Sequence, residues 1–422
     1  MLDIKLIREN PEIVKGNLKK RFLDEAQVGS FLKIDGDWKE LKKYVDELRS
    51  RRNFISEEIN KAKKNNSPNM AALLKEAKEI PKTIQEKENQ LEFLSEKRLE
   101  LWKKMPNILD KSVPVGDETK NKVLRKYGKT TKKIKGGHAE IMEKLNLIDT
   151  KKASEVAGAR FYYLKKELVR LNYAIISLAL DFLQKKGFEL IQPPYMLKKE
   201  VLEGAITFDV FEDAIYKIEN EDLYLIGTAE HALNALKSNE IINPKELPLR
   251  FAGISPCFRK EAGAHGKDTK GIFRTHQFEK VEQFVFCKPK DSWKEFNLIL
   301  NNSIELFKKL EIPFRTVVLA SGDTGKVAAK TIDLEGWFPS QQQYRELGSC
   351  SNCLDYQARR SNTRFYDKNE IKFVHTLNNT AVATERMIAC LVENNMQEDG
   401  SIKIPKALWK YMGRKKIVVK KK

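Results

Sequence analysis

Two arginines with acidic and aromatic neighbours carry the clearest chemistry in this sequence. The chain reads Phe258-Arg259-Lys260-Glu261-Ala262-Gly263, passes through a polar, glycine-containing loop, and resumes as Arg274-Thr275-His276-Gln277-Phe278. Alternating residues on either side of the glycines predict a hairpin of two strands, Leu249 to Phe258 and Phe273 to Phe286. The pattern therefore predicts one arginine on each arm of a hairpin.

This hairpin contains the groups that a nucleotide site needs. Guanidinium groups keep their charge and pair bidentately with phosphate oxygens, so Arg259 and Arg274 suit the α- and γ-phosphates of a bent triphosphate. Phe278 offers a flat apolar face to a purine, and Glu261 and Glu282 offer acceptors to an exocyclic amine and a substrate ammonium group. An exposed hairpin with solvated charges would account for any one of these residues, but not for the ordered set.

The hairpin resembles motif 2 of the class II aminoacyl-tRNA synthetases, and its residue pattern, Phe-Arg-x-Glu-Ala-Gly followed by Arg-x-His-Gln-Phe, is similar to that of the seryl enzymes. The resemblance implies an α+β protein with an N-terminal, antiparallel two-helix coiled-coil arm and a catalytic domain on an antiparallel sheet flanked by helices. It also implies that serine and ATP form seryl-adenylate. Serine is then transferred to the 3′ end of tRNA-Ser, with tRNA-Sec as a further candidate substrate.

Two other segments extend the resemblance. Thr228-Ala229-Glu230 matches the serine-binding loop of the family, although alone it is typical of a helix N-cap with an acidic first turn. In the stretch from Tyr344 to Asn352, Glu346 corresponds to a carboxylate that holds Mg²⁺ and ATP, and Ser349 lies beside the substrates. Gly348 is a departure, because the family usually has a small polar residue there.

A third segment, Thr376 to Arg386, resembles motif 3, in which a strand turns into a helix that carries an ATP-binding arginine. Thr380 stands in the place of a serine-binding hydroxyl. Ala381 and the pair Thr384-Glu385 give this motif the archaeal and eukaryotic style. Read alone, Glu385 beside Arg386 is no more than a charge pair on a helix face.

The resemblance assigns a role to each matching position. Catalytic roles are expected for Arg259, Glu346 and Arg386, and Mg²⁺ ligation for Glu346 and Ser349. The expected serine-binding residues are Thr228, Ala229, Glu230, Arg259, Glu282 and Thr380. The expected ATP-binding residues are Arg259, Lys260, Glu261, Arg274, Thr275, Phe278, Glu346, Leu347, Gly348, Ser349 and Arg386. His276 is expected to form hydrogen bonds inside the sheet rather than to transfer protons.

The N-terminal third has a different, heptad pattern. Apolar residues repeat at a 3-4 spacing from Trp38 to Ile59 and, after a break at Asn65 to Asn69, from Leu73 to Met105. This predicts two helices, each on the order of 45 Å long, that fold back on each other, with a bend at Pro81. In the family such an arm grips the long variable arm of the tRNA; a dimerising coiled coil or a spacer is the alternative. Phosphate contacts are expected from Lys42, Lys43, Arg49, Arg51, Lys61, Lys63 and Lys64.

The sequence divides into three parts. We expect a tRNA-binding domain at 1–110 with the arm at about 38–105, a basic linker at 111–135, and a catalytic domain at 136–422 with a basic C-terminal tail. A helix from Glu155 to Lys186 and a strand from Gly187 to Pro194 resemble motif 1, which forms the dimer interface in the family. Further strands are predicted at Leu223 to Ile226 and Phe314 to Leu319.

Composition limits the class of protein. With 422 residues, 41% of them hydrophobic, the chain can form more than one domain, and its formal net charge of +19 favours a polyanionic partner. No apolar run approaches the roughly 20 residues that span a bilayer, and Met1 to Lys5 lack a secretory signal, so we expect a cytoplasmic protein with no membrane partner. Five irregularly spaced cysteines predict reduced thiols. Cys350 and Cys353 have no second pair, so no zinc is expected.

Two alternatives remain beside the seryl assignment. A non-catalytic, RNA-binding relative would keep the arm and the fold but lose at least one of the reactive residues; Arg259, Glu261, Arg274, Glu346 and Arg386 are all present. A class II enzyme for another amino acid is disfavoured by the Thr228-Ala229-Glu230 loop and by the long arm.

Overall fold

The computed structural model describes residues 1–65, 68–206, 214–261 and 270–418. Ala262, Gly263 and the rest of the hairpin loop, and Asn66 and Ser67 in the predicted break, lie outside the described residues. The described chain forms two units, Leu2–Pro106 and a larger one that contains Met1 and Asn107–Lys422. Among the described residues no helix is both long and apolar enough to cross a membrane.

The N-terminal unit is helical. Its helices are α1 (Ile4–Glu9), α2 (Pro11–Lys20), α3 (Ala26–Asn65) and α4 (Met70–Lys104). The long pair, α3 and α4, is called the arm below, and its 40 and 35 residues correspond to about 60 and 50 Å. Helix α4 continues through Pro81; the bend predicted there remains a prediction.

The heptad positions of the arm meet across the two helices. Ile55 packs with Ile80 and Ile84 in a buried cluster. Nearer the other end, Trp38 donates a hydrogen bond from its indole nitrogen to Ser95 Oγ at 2.8 Å. Residues early in α3 therefore face residues late in α4, which is the antiparallel pairing that the sequence predicts.

The larger unit is built on a mixed sheet. Eight strands of the described residues run in the order β1-β10-β11-β12-β15-β9-β8-β4, and every neighbouring pair is antiparallel except β4 with β8. Their bounds are β1 Lys122–Tyr127, β4 Glu189–Ile191, β8 Leu249–Phe258, β9 Gln277–Cys287, β10 Phe314–Val318, β11 Lys330–Phe338, β12 Gln343–Leu354 and β15 His375–Ala383. The sheet confirms the expected α+β architecture.

Shorter strands and helices surround this sheet. The strands are β2 Ile148–Asp149, β3 Tyr163–Leu164, β5 Met196–Leu197, β6 Tyr224–Leu225, β7 Ile241–Ile242, β13 Arg364–Asp367, β14 Glu370–Phe373, β16 Ile402–Lys403 and β17 Lys416–Ile417. The helices are α5 His138–Lys144, α6 Thr150–Ala157, α7 Glu167–Lys185, α8 Lys199–Ala205, α9 Ala229–Ala235, α10 Ser292–Lys309, α11 Tyr356–Ser361, α12 Thr384–Asn395 and α13 Trp409–Met412. Apolar residues of α7, α10 and α12 share the main core with the sheet.

Three sequence predictions about elements were wrong in part. The predicted helix from Glu155 to Lys186 is two helices, α6 and α7, because Gly158 adopts a φ of +101° and the next residues form β3. The predicted strand at Phe273 begins only at Gln277, after a turn at Gly271. The stretch expected as a linker at 111–135 contains β1, which pairs with β10 at the edge of the sheet.

Candidate active site

The β8–β9 hairpin presents alternate side chains of β9 on one face, which is called the hairpin face below. Gln283 faces α10, where it donates to Ile299 O and Ser303 Oγ. Because side chains alternate along a strand, Phe278, Lys280 and Glu282 point to the opposite face. Helix α9 covers that face next to Glu282, and Thr228 begins it.

Helix α9 approaches the hairpin closely at one glycine. Gly253 pairs with Glu282 across the ladder, and a Cβ atom on Gly253 would lie 2.8 Å from Leu233 Cδ1 and 3.0 Å from Ala229 Cβ. A larger residue would therefore push α9, and Thr228 with it, away from Glu282. This packing explains why Ala229 is buried: its side chain fills the contact, and only its backbone can face a ligand.

Arg259 lies just beyond the paired strands. The sequence predicted one arginine on each arm of the hairpin. The last paired residues are Phe258 and Gln277, so Arg259 and Arg274 instead lie beyond the end of the paired strands. Arg259 Nε donates to Gly227 O at 3.1 Å, and the guanidinium lies 5.2 Å from the centre of the Phe278 ring. These two contacts fix the fork, and no described residue accepts from its Nη atoms.

Arg274 lines an open cleft with about 240 Å³ of empty space. Its Nη1 lies 3.3 Å from Glu261 Oε2, and the Arg386 guanidinium lies 5.2 Å from the centre of the Phe273 ring. The lining residues are Glu261, Phe273, Arg274, Thr275, Phe278, Glu385 and Arg386. Cations and two aromatic rings thus line one cavity, as a purine nucleotide would require.

The proposed serine-binding positions come together beside this cleft. Thr228 is the N-cap of α9 and also donates from Oγ1 to Glu282 Oε2 at 3.3 Å, so its capping and site contacts coexist. Thr380 pairs with Glu282 across the β15–β9 ladder, and both side chains are buried. A hydroxyl on each side of a carboxylate suits a ligand with an ammonium group and a hydroxyl.

Glu230 is held by two amides that the sequence did not point to. Gln357 Nε2 and Asn378 Nδ2 both donate to Glu230 Oε1, at 2.7 and 2.9 Å. Burial, and to a lesser extent the carboxylate of Glu282, raise the pKa of Glu230 to about 7. No local signal identifies these partners, because Gln357 and Asn378 lie 127 and 148 residues from Glu230.

Lys280 is a further residue that sequence reasoning missed. Its side chain is 8% exposed, and its ammonium group forms an ion pair with Glu282, which is 2% exposed. The positive charge also acts on Glu230 and on Glu346. The alternation Phe278, Lys280, Glu282 was a signal that could have placed this lysine on the hairpin face.

The two residues expected to bind the metal, Glu346 and Ser349, both lie on β12. Ser349 Oγ donates to Glu346 Oε1 at 3.4 Å, and the same oxygen lies 3.1 Å from Arg386 Nη1. The positive charge of Arg386 lowers the pKa of Glu346, so this carboxylate is ionised. Burial and the charge of Glu346 raise the pKa of Asp333, whose Oδ1 is buried with no hydrogen-bond partner.

Leu347 and Gly348 can contact a ligand only through their backbone atoms. The Leu347 side chain is 1% exposed and belongs to the main core. A Cβ atom on Gly348 would lie 2.9 Å from Thr380 Cβ. The glycine that departs from the family pattern therefore leaves room for the Thr380 side chain.

The start of α12, which carries Arg386, is fixed by a buried glutamate. Glu385 accepts from Tyr162 Oη at 2.5 Å and from the Glu279 backbone N–H at 2.9 Å. Burial raises the pKa of Glu385 to about 7. The sequence suggested a pair on a helix surface, but the Glu385 side chain is buried and connects α12 to β9 and Tyr162.

The remaining predicted residues have structural contacts. Lys260 is exposed, and its backbone N–H donates to Ala214 O. Thr275 Oγ1 donates to Gln277 O at 2.9 Å, and His276 Nδ1 lies 2.9 Å from Arg259 O. His276 thus makes a hydrogen bond as expected, just before β9 rather than inside it. In the described part of the chain, no group of three or more His, Cys, Asp and Glu residues could hold a metal ion.

Comparison with protein families gives two matches. Residues 212–395 match the tRNA synthetase class II core domain (G, H, P, S and T), and residues 1–109 match the seryl-tRNA synthetase N-terminal domain. The serine–tRNA ligase of Nitrosopumilus maritimus is 49% identical over 422 residues, which cover 99% of this chain and all of that protein.

Two solved structures share the whole architecture. The seryl-tRNA synthetase of Pyrococcus horikoshii, complexed with ATP, superposes with a TM-score of 0.93 at 48% identity and full coverage of both chains. The cytoplasmic serine–tRNA ligase of Naegleria fowleri, in complex with AMP, gives a TM-score of 0.87 at 37% identity, with 100% of this chain and 99% of that chain covered.

Proposed function

The chain belongs to the seryl-tRNA synthetase family, and on this premise we propose that it is an ATP-dependent serine–tRNA ligase. It activates L-serine with ATP to seryl-adenylate and pyrophosphate, and then transfers serine to the 3′ end of tRNA-Ser, in the cytoplasm. The observation that carries the proposal is the Arg259 fork, which Gly227 O and the Phe278 ring hold beside the aromatic cleft and whose charge acts on both Glu230 and Glu346. The non-catalytic alternative is not favoured.

Adenylation requires positioning and charge neutralisation rather than a covalent enzyme intermediate. The serine carboxylate attacks the α-phosphorus, the bond to the β-phosphate oxygen breaks, and pyrophosphate leaves. Arg259 binds the α-phosphate through its Nη groups, while Arg274 and Arg386 bind the distal phosphates. Phe278 stacks on the adenine, and Glu261 accepts from its amine. Support comes from the two cations and two rings that line one cleft.

The residues around Glu346 fit Mg²⁺ that arrives with ATP. An ionised carboxylate, the Ser349 hydroxyl and a buried, unpartnered oxygen of Asp333 are hard oxygen donors of the kind that Mg²⁺ prefers. Glu346 and Ser349 would hold the ion, which would neutralise phosphate charge during the displacement. Phosphate oxygens and water must complete the coordination.

Serine is selected by a polar pocket. Glu282 and Glu230 receive the ammonium group and the hydroxyl together with Thr228 and Thr380. Alanine lacks the hydroxyl and would leave buried polar groups unpaired, which costs more than the loss of a methyl contact. Threonine must be excluded sterically, and the buried positions of Thr380 and Gly348 support a site of limited size.

The arm binds tRNA, and two chains associate through the motif 1 region. Of the basic arm residues expected to contact phosphate, Lys63 and Lys64 are exposed and have no carboxylate partner among the described residues, while Arg49 and Arg51 already pair with Glu88 and Glu76. For a dimer, β4 forms one edge of the sheet, and the apolar residues Val169, Tyr173 and Leu190 are exposed on α7 and β4.

Serine-dependent exchange of pyrophosphate into ATP tests the proposal with purified protein. The expected result is exchange with serine and none with threonine, proline or glycine. Exchange with another amino acid in place of serine would show that the protein is a class II synthetase for that amino acid. No exchange with any amino acid, in a protein that binds tRNA, would leave the non-catalytic relative.

A shortened arm separates tRNA binding from adenylation. Deleting Val45–Asn89 and joining the ends through a short glycine linker removes nearly equal lengths of α3 and α4 but keeps the hydrogen bond between Trp38 and Ser95. Exchange should stay within about two-fold of wild type, whereas aminoacylation should collapse. Normal charging of tRNA by this variant would make the arm a spacer.

A further inference from the structure

The positive charge of the chain is concentrated outside the N-terminal unit. Leu2–Pro106 carries 24 Lys and Arg against 19 Asp and Glu, whereas the segment from Lys120 to Lys135 alone carries eight Lys and Arg and no acidic residue. That segment includes β1, the strand at one edge of the sheet. Nothing in the reaction proposed above uses it.

The segment is held in place rather than free in solution. Lys132 donates from Nζ to Asn394 O at 2.8 Å and to Met396 O at 2.5 Å, and its own carbonyl accepts from Gln342. Tyr127 stacks on the buried Phe314 ring at 4.4 Å. These contacts anchor the chain at Tyr127 and Lys132, with Lys129 between the two anchors and Lys126 and Lys133 directly beside them. Cations that are already held in place lose less entropy when they bind a ligand.

Basic residues from two other elements lie beside this segment. Lys308, at the end of α10, lies 5.2 Å from the centre of the Tyr127 ring. Three residues further on, Glu311 pairs with Lys403 at 3.2 Å, and Lys403 is next to Ile402, which bridges to Met396. The contacts thus lead from Tyr127 back to Lys132, which donates to Met396 O.

These contacts define one surface, called the basic edge below. Its cations are Arg125, Lys126, Lys129, Lys133, Lys135, Lys308, Lys309, Lys403 and Lys406. All nine are exposed, and among the described residues Glu311 is the carboxylate that pairs with one of them, Lys403. A surface with this excess of positive charge favours a ligand that carries a row of negative charges.

Protection of an open sheet edge explains only part of the pattern. Lysines and a β-bulge on an edge strand prevent pairing with other chains, and β1 has both, with a register shift between Val123 and Arg125. This accounts for Lys126. It does not account for Lys129, Lys133 and Lys135, which follow the strand, or for the lysines of α10 and the C-terminal segment.

We propose that the basic edge binds the sugar-phosphate backbone of the tRNA, as a second contact surface in addition to the arm. This inference rests on the proposed function, which supplies tRNA as the polyanion. Lysines contact phosphates as point charges and release counterions, so the surface contributes affinity without reading sequence.

The test compares two triple variants with the same change of charge. The basic-edge variant carries Lys126→Gln, Lys129→Gln and Lys133→Gln, and the control carries Lys151→Gln, Lys245→Gln and Lys290→Gln, which are exposed lysines elsewhere in the same unit. Binding of a tRNA-Ser transcript is measured over a range of salt concentrations. The basic-edge variant should bind on the order of 10-fold more weakly and lose about two to three units of the log–log salt slope, and the control should match wild type.

Serine-dependent pyrophosphate exchange distinguishes a failure of the proposed function from a failure of the basic-edge proposal. Wild-type exchange in both triple variants shows that they fold and that the active site is intact. Absence of exchange in the wild-type protein would refute the proposed function, whereas tRNA binding with equal salt slopes in the two variants would refute the basic edge alone. Binding to anionic phospholipid vesicles that the basic-edge variant loses, with tRNA binding unchanged, would also overturn the proposal and assign the surface to a membrane.

Discussion

The arm and the hairpin face both contain pairs of a basic residue and a glutamate, but the pairs are exposed on the arm and buried on the hairpin face. On the arm, Arg49–Glu88 and Arg51–Glu76 are separated by 2.7 Å each, but the four side chains are between 33% and 50% exposed. On the hairpin face, the Lys280–Glu282 pair is at most 8% exposed. Water screens the first pairs, so they contribute little to stability, whereas removing one member of the second pair would leave a buried charge without its partner.

This difference shows where charge can serve function. Exposed pairs can open and exchange a carboxylate for a phosphate at small cost, which suits a surface that binds and releases RNA. Buried groups cannot rearrange cheaply, so they keep a fixed geometry around a reacting phosphate. If this is correct, substitutions on the hairpin face should affect catalysis strongly, and matching substitutions on the arm should leave it unchanged.

The largest expected effect is on Arg259. Replacement by Ala removes a charge-assisted contact to the reacting phosphate, worth roughly 2 to 4 kcal/mol, so pyrophosphate exchange should fall about 10²- to 10³-fold. Arg259→Lys should also be poor, because an ammonium group cannot reproduce the fork. Arg51→Ala on the arm is the matched control and should exchange at the wild-type rate. Near-normal exchange by Arg259→Ala would remove this residue from the mechanism.

A smaller effect is expected from the amides that hold Glu230. Asn378→Leu removes one of two hydrogen bonds to a group near its pKa, worth about 1 to 2 kcal/mol, and the KM for serine should rise roughly 10-fold. The KM for ATP should not change. Asn378→Asp should be worse, since it places a second negative charge beside Glu230. An unchanged KM for serine in both variants would show that Gln357 alone suffices to position the carboxylate.

The sequence predicted those parts of the structure that depend on local spacing. The 3-4 repeat predicted both helices of the arm, and the alternation of residues predicted the two strands of the hairpin. The sequence placed the start of β9 too early. The turn at Gly271 and the contact between Arg274 and Glu261 delay the strand, but neither leaves a mark on the apolar pattern of the sequence.

Residues that act through long-range contacts could not be predicted in this way. Tyr162 and Glu385 are 223 positions apart, and Glu230 meets Gln357 and Asn378 only because α11 and β15 pack beside α9. Propensity and periodicity carry no information about such pairs. Family resemblance named the residues that touch substrates, but it gave no reason to look for the amides behind them.

The buried Glu385 should make stability depend on pH. Its pKa in the folded protein, about 7, is above the usual 4.5, so the folded state binds the proton more tightly. Stability should therefore fall as pH rises from about 4.5 to 7, by on the order of 1 to 3 kcal/mol. Glu385→Gln resembles the protonated form and should remove this share of the dependence in urea titrations at pH 5.5 and 8. The share of Glu230, whose pKa is also raised to about 7, should remain. A dependence equal to that of wild type in this variant would assign all of it to other groups.

Glu76 on the arm is the contrasting case for pH. Its hydrogen bond with Arg51 lowers the pKa of this exposed glutamate, so any stability it contributes is present above about pH 4.5 and is lost only at lower pH. Glu76→Gln should therefore leave the stability difference between pH 5.5 and 8 as it is in wild type. An effect in this window would mean that the arm pair is less accessible to water than its exposure indicates.

The smallest effect is expected from the arm pairs themselves. Arg49→Ala and Arg51→Ala each remove one exposed ion pair that water screens, so each should lower the free energy of unfolding only slightly, and less at high salt. The same variants remove a cation that could contact phosphate, and each should reduce the salt slope of tRNA binding by about one unit. A large loss of stability with an unchanged slope would show that these arginines serve to hold α3 against α4. A small loss of stability with a reduced slope would show that these arginines pair with glutamate in the free protein and exchange it for a phosphate when tRNA binds. This property separates the arm from the hairpin face.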